Sequence, residues 1–108
     1  MKNAAREAAD IDLAAICPLT TSEALHRAVT IAPDIDAVVG THHRVTFRQL
    51  DVDVRAVHGA LWSLGIRRGD HVGICAGNGV EWVALFLAIG GAGGVAVPIN
   101  TRLKAGEV

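Results

Sequence analysis

The clearest pattern of apolar and polar positions in the chain begins at residue 46. Large apolar residues recur at spacings of four and three, at Leu50, Val54, Val57, Leu61 and Leu64. This spacing places them on one face of a helix. Thr46 and Gln49 stand where a capping box would begin that helix. Gly65 stands where a left-handed residue would end it, with Ile66 able to fold back on Leu61. The pattern therefore predicts an amphipathic helix that ends before Gly65.

Another helix and a hairpin are predicted before it. Thr20 and Glu23 form a capping-box pattern, and the helix that follows ends before Pro33, because the residue preceding a proline avoids the helical region. Two short β-branched runs, residues 37–39 and 44–46, flank a Gly-Thr-His-His segment. Strand-forming runs on either side of a turn segment predict a β-hairpin.

The pattern after residue 70 predicts a strand, a helix and a second strand. The strands are residues 71–76 and 95–98, and the helix runs from about residue 79 to 89 with Asn78 and Glu81 as its capping pair. Short turns at both ends of such a unit favour a parallel, right-handed crossover. Together the elements predict an α/β fold, in which a hairpin precedes a parallel strand–helix–strand unit.

The predicted helix of residues 79–89 carries apolar side chains on all sides. They are Val80, Trp82, Val83, Ala84, Leu85, Phe86, Leu87 and Ile89. A helix of this kind is buried all round, yet the remaining residues cover little beyond its sheet-facing side. Residues 103–108 also have the character of a helix start. We therefore expect a longer parent protein in which more chain follows residue 108.

A membrane span is the other explanation of so apolar a segment. Residues 82–99 are eighteen positions without a charge, which is long enough to raise the question. The glycine-rich segment 90–94 interrupts them, and β-branched residues with a proline follow. Because a span needs an unbroken helix, a helix, a glycine turn and a buried strand explain the segment better.

Composition and charge narrow the class of protein. The 108 residues are 51% hydrophobic and 19% charged, with a net charge of −1, which indicates a globular domain. A nucleic acid or an anionic membrane would favour a clustered basic excess, and the chain offers only the pair Arg67 and Arg68. Cys17 in an N-terminal arm (residues 1–19) and Cys75 in a predicted buried strand are too few for a disulfide scaffold. We expect a reduced, cytoplasmic protein, since the arm lacks the apolar run of a signal peptide.

Residues 77–82 follow a predicted strand and open a helix, as a dinucleotide-binding fingerprint does. Trp82 occupies the place of the third glycine, and Asn100 stands where an acidic ribose ligand would follow the next strand. Both departures favour a plain turn. Glu81 in the first helical turn also opposes the binding of an anion there.

Three further segments suggest chemistry, and each has a plainer explanation. The segment 90–94 lacks the lysine and the hydroxyl residue of a phosphate loop, which indicates a helix end. His42 and His43 would point to opposite faces of a strand with no carboxylate or cysteine nearby, which favours a surface turn over a metal site. Residues 68–70 spell Arg-Gly-Asp and predict a turn.

No nucleophile with an adjacent base and no pair of acids appears in the sequence. We therefore predict no catalytic, cofactor-binding or metal-binding residue.

Four motifs stand in a specific order and spacing. They are TFRQL at 46–50, LGIRRGDHV at 64–72, Asn78 with Glu81, and AGGVAVPIN at 92–100. With these motifs the chain from residue 32 onward resembles the acyl-adenylate-forming ligases. Residues 100–103 are similar to the acyl-CoA synthetase version of the family rather than to peptide-synthetase adenylation domains. Gly79 departs from the serine often found there, which weakens the helix start.

The resemblance implies the N-terminal part of the large domain of an AMP-forming acyl-CoA synthetase. Such an enzyme converts a carboxylic acid, ATP and CoA into acyl-CoA, AMP and pyrophosphate, with Mg²⁺ present. The family's phosphate-binding loop, ribose-binding acid and catalytic lysine lie beyond the point that corresponds to residue 108, so none is carried over here. Residues 20–108 would then supply scaffold. We expect the chain alone to be inactive and to bind none of ATP, Mg²⁺ and CoA.

Two alternatives remain open on the sequence. A stand-alone α/β interaction module would need a gene that ends at Val108, and a dinucleotide-binding oxidoreductase would need a glycine in place of Trp82.

For the acyl-CoA synthetase, the expected substrate is a fatty or aromatic carboxylic acid. The expected protein contact is with a second copy of the chain or with the rest of the enzyme, and no nucleic-acid partner is expected.

Overall fold

The structure is a computed structural model that describes residues 20–103 and Gly106. In chain order the elements are α1 (Thr21–Ile31), β1 (Asp36–Val39), β2 (Arg44–Thr46), α2 (Phe47–Ser63), β3 (His71–Ile74), α3 (Val80–Gly91) and β4 (Val95–Pro98). β1 pairs with β2 antiparallel, and β3 pairs with β4 parallel. The predicted α/β fold is confirmed. The predicted N-terminal arm with Cys17, and the helix start expected within residues 103–108, lie outside the described residues apart from Leu103 and Gly106.

The start of α2 is held by backbone and side-chain hydrogen bonds together. The Gln49 N–H donates to Thr46 Oγ1 at 3.2 Å, and the Thr46 N–H donates to Gln49 Oε1 at 3.0 Å. The N–H groups of Phe47 and Arg48 donate to carbonyl oxygens of the preceding loop, each at 3.0 Å. The predicted capping box is confirmed, and the donors that a helix start leaves without an intrahelical acceptor are satisfied here.

The end of α2 is a glycine cap. Gly65 has a φ of 91°, and the N–H of Ile66 reaches back to the carbonyl of Leu61 at 3.0 Å. Leu64 does not continue the apolar face as predicted, because it is 79% exposed. The helix stops at Ser63, so the chain turns away before Leu64 reaches the core. Ile66 packs against the core instead.

The hairpin forms where the two β-branched runs predicted it. Val38 pairs with Val45 and Val39 with Arg44, with an irregular register between Asp36 and Val38. The Gly40 N–H donates to the carbonyl of His43 at 2.9 Å and closes the turn. The predicted hairpin is confirmed.

The parallel pair is joined through α3. His71 lies opposite Val95 and Ile74 opposite Pro98, and the parallel pairing predicted for these strands is confirmed. β3 is shorter than the predicted 71–76, since it ends at Ile74. Cys75 therefore lies outside the strand, and its thiol is free and exposed rather than buried as predicted.

The two ends of α3 differ from the prediction. Its N-cap is Gly79, with no side-chain hydrogen bond, so Asn78 does not cap the helix as predicted. Gly79 has an extended backbone, which moves Asn78 one position too far back to reach the first turn. At the other end the helix continues to Gly91, two residues beyond the prediction. Within the described residues, no helix is long and apolar enough to cross a membrane.

α1 and α2 pack against α3, which lies between them and the parallel strands. Thr20 accepts the Glu23 N–H at 3.1 Å at the start of α1, as predicted. One buried cluster joins α2, β3 and α3 through Leu61, Ile74, Ala88 and Ile89. A second joins α1, α2 and α3 through Leu25, Leu50 and Ala84. Because α3 contributes to both, it is the central element of the described fold. The expectation that the chain covers little of this helix beyond its sheet-facing side is therefore wrong, because α1 and α2 pack on its other side.

Candidate functional site

The carboxyl ends of β3 and β4 meet at one edge of the parallel sheet and open a groove of about 400 Å³. It is lined by Ala76, Asn78, Trp82, Pro98, Ile99, Asn100 and Thr101. Ligands of open α/β sheets bind in the crevice outside the carboxyl ends of the strands. This groove is therefore the candidate site that the topology defines.

The polar groups of the groove are few. Asn100 is committed to a turn, since its Oδ1 accepts the Arg102 N–H at 2.9 Å and its carbonyl accepts the Leu103 N–H at 3.1 Å. The Asn78 amide and the Thr101 hydroxyl remain, and both residues are exposed. The groove thus offers neutral hydrogen-bonding groups beside an aromatic wall.

That wall is Trp82, which is stacked on Phe86 behind it. The rings of Trp82 and Phe86 lie 5.4 Å apart between centroids and are nearly parallel, with an interplanar angle of 10°. Both side chains are half-buried. Stacking of this kind adds to the burial of both rings, so Trp82 is held in place before any ligand arrives.

The lining of the groove limits the chemistry that it can perform. None of its side chains carries a charge at neutral pH, so it supplies neither a general acid nor a general base. A triphosphate needs cationic groups and Mg²⁺ prefers carboxylate oxygens. The side chains of the groove therefore offer no cation to a triphosphate and no carboxylate to Mg²⁺, and they contribute packing and neutral hydrogen bonds.

The segment that resembled a dinucleotide fingerprint does not build an anion site. One carboxylate oxygen of Glu81 lies 3.1 Å from the position that a Cβ on Gly79 would take. A carboxylate over the first turn repels the anion that a helix N-terminus would otherwise attract. Trp82 occupies the position that would need a glycine and turns its side chain into the groove. The plain turn favoured by the sequence is what the structure contains.

The glycine-rich segment 90–94 serves packing. A Cβ on Gly90 would lie 2.7 Å from the Thr21 hydroxyl oxygen, so a larger residue there would require the Thr21 side chain to move. Gly93 has a φ of 77° and lies against Arg68. The segment ends a helix, as predicted.

His42 and His43 are both exposed in the hairpin turn, as predicted. Over the described ranges 20–103 and 106, no three His, Cys, Asp or Glu side chains are placed to hold a metal ion.

The Arg-Gly-Asp tripeptide is a turn, as predicted. Asp70 accepts the Arg67 N–H at 2.7 Å. The guanidinium of Arg67 lies 3.3 Å above the ring centre of Trp62 and donates to the carbonyls of Trp62 and Ile66, each at 2.9 Å. This cation–π contact was not predicted. Its role is to fix the turn that leads from α2 into β3.

The groove residues were also not predicted as a site. The sequence predicts Trp82 to lie in a helix that is apolar on all sides, and it marks Thr101 only as part of the family segment 100–103. A signal was present, because the carboxyl ends of two parallel strands always meet at one edge. Locating the groove would have required the true ends of both strands.

The AMP-binding enzyme family matches residues 25–108 of the chain. The match covers all of α1 after its first turn, the hairpin, α2, the parallel strands and α3. The chain therefore belongs to the AMP-binding enzyme family.

Curated relatives and solved structures agree with this assignment. The chain is 43% identical over 90 residues to an octahydroindenyl-propanoyl:CoA ligase of Rhodococcus jostii strain RHA1, covering 83% of the chain and 18% of the ligase. It is 40% identical over 86 residues to the long-chain-fatty-acid–CoA ligase FadD13 of Mycobacterium tuberculosis strain H37Rv, covering 78% and 17%. The N-terminal domain of FACL13 from Mycobacterium tuberculosis superposes with a TM-score of 0.78 at 37% identity, over 82% of the chain and 23% of that domain. The chain thus spans less than a fifth of the length of these curated relatives.

Proposed function

We propose that the chain is the N-terminal scaffold of an AMP-forming acyl-CoA ligase. The whole enzyme would convert a carboxylic acid, ATP and CoA into acyl-CoA, AMP and pyrophosphate. The observation that carries the proposal is the match of residues 25–108 to the AMP-binding enzymes, together with CoA ligases as the relatives at 40–43% identity.

The part assigned to these residues is structural. The groove at the carboxyl edge of β3 and β4 has no charged side chain in its lining, and most of the apolar side chains of α3 pack in the two hydrophobic clusters. ATP, CoA and Mg²⁺ would be held by other parts of the enzyme, and no catalytic, cofactor-binding or metal-binding residue is assigned to this chain. Residues 20–108 form one portion of the ligase domain, preceded by an arm of residues 1–19.

The substrate class is a fatty or aromatic carboxylic acid. The two curated relatives differ in their acids, since one is named for a ring-bearing propanoyl group and the other for long-chain fatty acids. Both names describe the joining of a carboxylic acid to CoA. The proposed compartment is the cytoplasm, because a free, exposed thiol such as that of Cys75 suits a reducing environment.

A pyrophosphate-release assay tests the proposal. The product of the extended reading frame is incubated with ATP, CoA, Mg²⁺ and a panel of medium-chain, long-chain and aromatic acids. Release that depends on the acid, with acyl-CoA and AMP as the other products, is expected for at least one acid. The 108-residue chain assayed alone is expected to be inactive.

The control is the same reaction without CoA, which should form no acyl-CoA. No release with any acid in the panel would overturn the ligase proposal. Activity of the isolated chain would overturn the assignment of these residues as scaffold.

A further inference from the structure

Asn78 is followed directly by Gly79 in the loop between β3 and α3. Asparagine is one of the thermolabile residues of proteins, and an Asn-Gly pair reacts at the peptide that joins the two residues. Because glycine has no Cβ, its main-chain nitrogen can approach the preceding side chain without steric hindrance. The pair is therefore a candidate site of spontaneous covalent modification.

The surroundings of Asn78 leave the pair free to react. Both residues are exposed, and the segment 75–79 is neither helix nor strand. Within residues 20–103 the Asn78 side chain makes no hydrogen bond, and the N–H of Gly79 donates to no carbonyl. Apart from its chain neighbours, no atom of the described residues lies within 4 Å of the position that a Cβ on Gly77 would take. These residues thus provide no contact that holds the amide away from the next main-chain nitrogen.

Asn100 lines the same groove as Asn78 and provides an internal comparison. It is also exposed, but the residue after it is Thr101, whose branched side chain crowds the main chain. Its Oδ1 atom accepts the N–H of Arg102 at 2.9 Å, which fixes the amide in a turn. The two asparagines therefore differ in the residue that follows and in the freedom of the side chain.

We propose that Asn78 deamidates in the folded chain through a succinimide formed with Gly79. The main-chain nitrogen of Gly79 attacks Cγ of Asn78, a new N–Cγ bond forms, and the Cγ–Nδ2 bond breaks. The departing nitrogen takes up the proton that the main-chain nitrogen loses and leaves as ammonia. One water molecule then opens the ring at either carbonyl carbon and yields aspartate or isoaspartate, so water is the only other reactant.

The reaction changes the start of α3. In isoaspartate the main chain runs through Cγ, so one additional main-chain atom stands directly before Gly79, the N-cap of α3. A new carboxylate also arises near Glu81, whose carboxylate oxygen lies 3.1 Å from the position that a Cβ on Gly79 would take. Like charges at the start of one helix repel each other. The modification thus lies at the entry to the helix that joins both buried clusters, and it does not depend on the proposed ligase activity.

Incubation of the purified 108-residue chain tests the proposal, with circular dichroism to follow its helices. Samples taken over time are digested and analysed by mass spectrometry for deamidation at Asn78 and Asn100. Isoaspartate is detected by methyl transfer from S-adenosylmethionine, catalysed by a protein isoaspartate methyltransferase. We expect deamidation at Asn78 to be several-fold faster than at Asn100, to produce mainly isoaspartate and to accelerate as the pH rises.

Gly79→Ala is the matched variant. Gly79 has an extended backbone that alanine also adopts, and the Glu81 carboxylate near the new Cβ ends a flexible side chain that can move. The variant should keep the circular dichroism of the unsubstituted chain and deamidate at Asn78 several-fold more slowly. The unsubstituted chain in urea supplies the rate of the unfolded state, so a second comparison needs no variant.

Equal rates at Asn78 and Asn100, deamidation without isoaspartate, or an unchanged rate in Gly79→Ala would each overturn the proposal. A rate at Asn78 in buffer that is many times below the rate in urea would also overturn it, because the fold would then hold the pair apart. If the chain shows no helical circular dichroism in buffer, the product of the extended reading frame replaces it and is judged by the same criteria.

Discussion

Helices α2 and α3 end in the same way and differ in almost everything else. Gly65 after α2 and Gly93 after α3 both have positive φ, at 91° and 77°, and each closes a left-handed cap. α2 begins with a complete capping box, and α3 begins at Gly79 with no side-chain cap. α2 presents a charged outer side, with Arg55 bonded to Asp51 at 3.0 Å. α2 is built to lie at a surface, and α3 to be enclosed by protein.

The contrast explains how stability is distributed along the chain. The capping box at Thr46 and the glycine cap at Gly65 are local to α2, while two further N–H groups of its first turn donate to carbonyls of the loop before β1. α3 has one acidic residue, Glu81, in its first turn and depends on packing for the rest. Most helical stability in proteins comes from tertiary packing, and α3 relies on it more than α2 does.

The largest effect is expected from shortening a buried side chain of α3. Ile89 is fully buried, at 0% exposure, so Ile89→Ala should lower the free energy of unfolding by about 2–5 kcal/mol. Val52→Ala on the exposed side of α2 should change it by less than about 0.5 kcal/mol. Urea denaturation followed by circular dichroism measures both. Equal effects of the two substitutions would remove the distinction between the helices.

The two helix starts should respond differently to the loss of a polar side chain. Thr46→Ala removes the cap of α2 and should cost about 1 kcal/mol. Asn78→Ala should leave the free energy of unfolding unchanged, because Asn78 makes no capping bond to α3. The same denaturation experiment decides this. If Asn78→Ala lowered the free energy of unfolding as much as Thr46→Ala does, the Asn78 side chain would have to cap α3.

Glycine positions provide a sharper version of the comparison. Gly65→Ala forces a Cβ into the left-handed region and should cost about 1 kcal/mol. Gly77 precedes α3 and has no positive φ, and no heavy atom lies within 4 Å of the position that a Cβ on it would take. Gly77→Ala should therefore not destabilise the chain. Thermal unfolding of the two variants measures the difference. A Gly65→Ala chain as stable as the Gly77→Ala chain would argue against the glycine cap.

The smallest change in the free energy of unfolding is expected from removing an ion pair on the surface of α2. Arg55 and Asp51 form an ion pair in which the arginine side chain is 75% exposed and the aspartate 21%. Solvent screens such a pair, so Arg55→Gln should cost only about 0.3–0.5 kcal/mol at low salt. The difference from the unsubstituted chain should vanish in about 1 M NaCl, where the screening length is roughly 3 Å. A cost that persists at high salt would point to packing by the arginine stem.

The sequence was sufficient to predict the elements whose signals are local. The capping box at Thr46 and Gln49, the glycine cap at Gly65 and the spacing of apolar residues all act within one helix, and all of α2 follows from them. The hairpin and the parallel unit followed in the same way from short β-branched runs and turns. The family motifs extended this to the AMP-binding enzymes, which the match to residues 25–108 confirmed.

The errors lie where the outcome depends on tertiary context. Asn and Gly are both favoured at the N-cap position, so the sequence alone does not decide between Asn78 and Gly79. In the structure α3 begins after Gly79. Cys75 is exposed because β4 runs only as far as Pro98 and leaves β3 without a partner after Ile74. Leu64 fits the helical spacing, but the turn at Gly65 carries it into solvent. The groove at the carboxyl edge depends on these same strand ends, so it could not be placed from the sequence.

We infer that the described residues, taken alone, leave apolar surface exposed that a longer protein would cover, although α3 itself is already packed between the other helices and the parallel strands. Trp82 and Phe86 are half-buried and stacked. On the β3–β4 sheet the exposed large apolar side chains are Val95 and Val97, at 45% and 39%, and Leu64 and Ile31 are more exposed still, at 79% and 70%. A small domain has a free energy of unfolding of only about 5–15 kcal/mol, and each large apolar side chain left exposed forgoes roughly 1.5–3 kcal/mol of burial.

The most direct test is the binding of a hydrophobic dye to the dilute, purified 108-residue chain. The account predicts a strong rise in dye fluorescence, self-association as the concentration increases, and a weaker signal when Val95 and Val97 are both replaced by lysine. A chain that stays monomeric, unfolds cooperatively and leaves the dye unbound would contradict it.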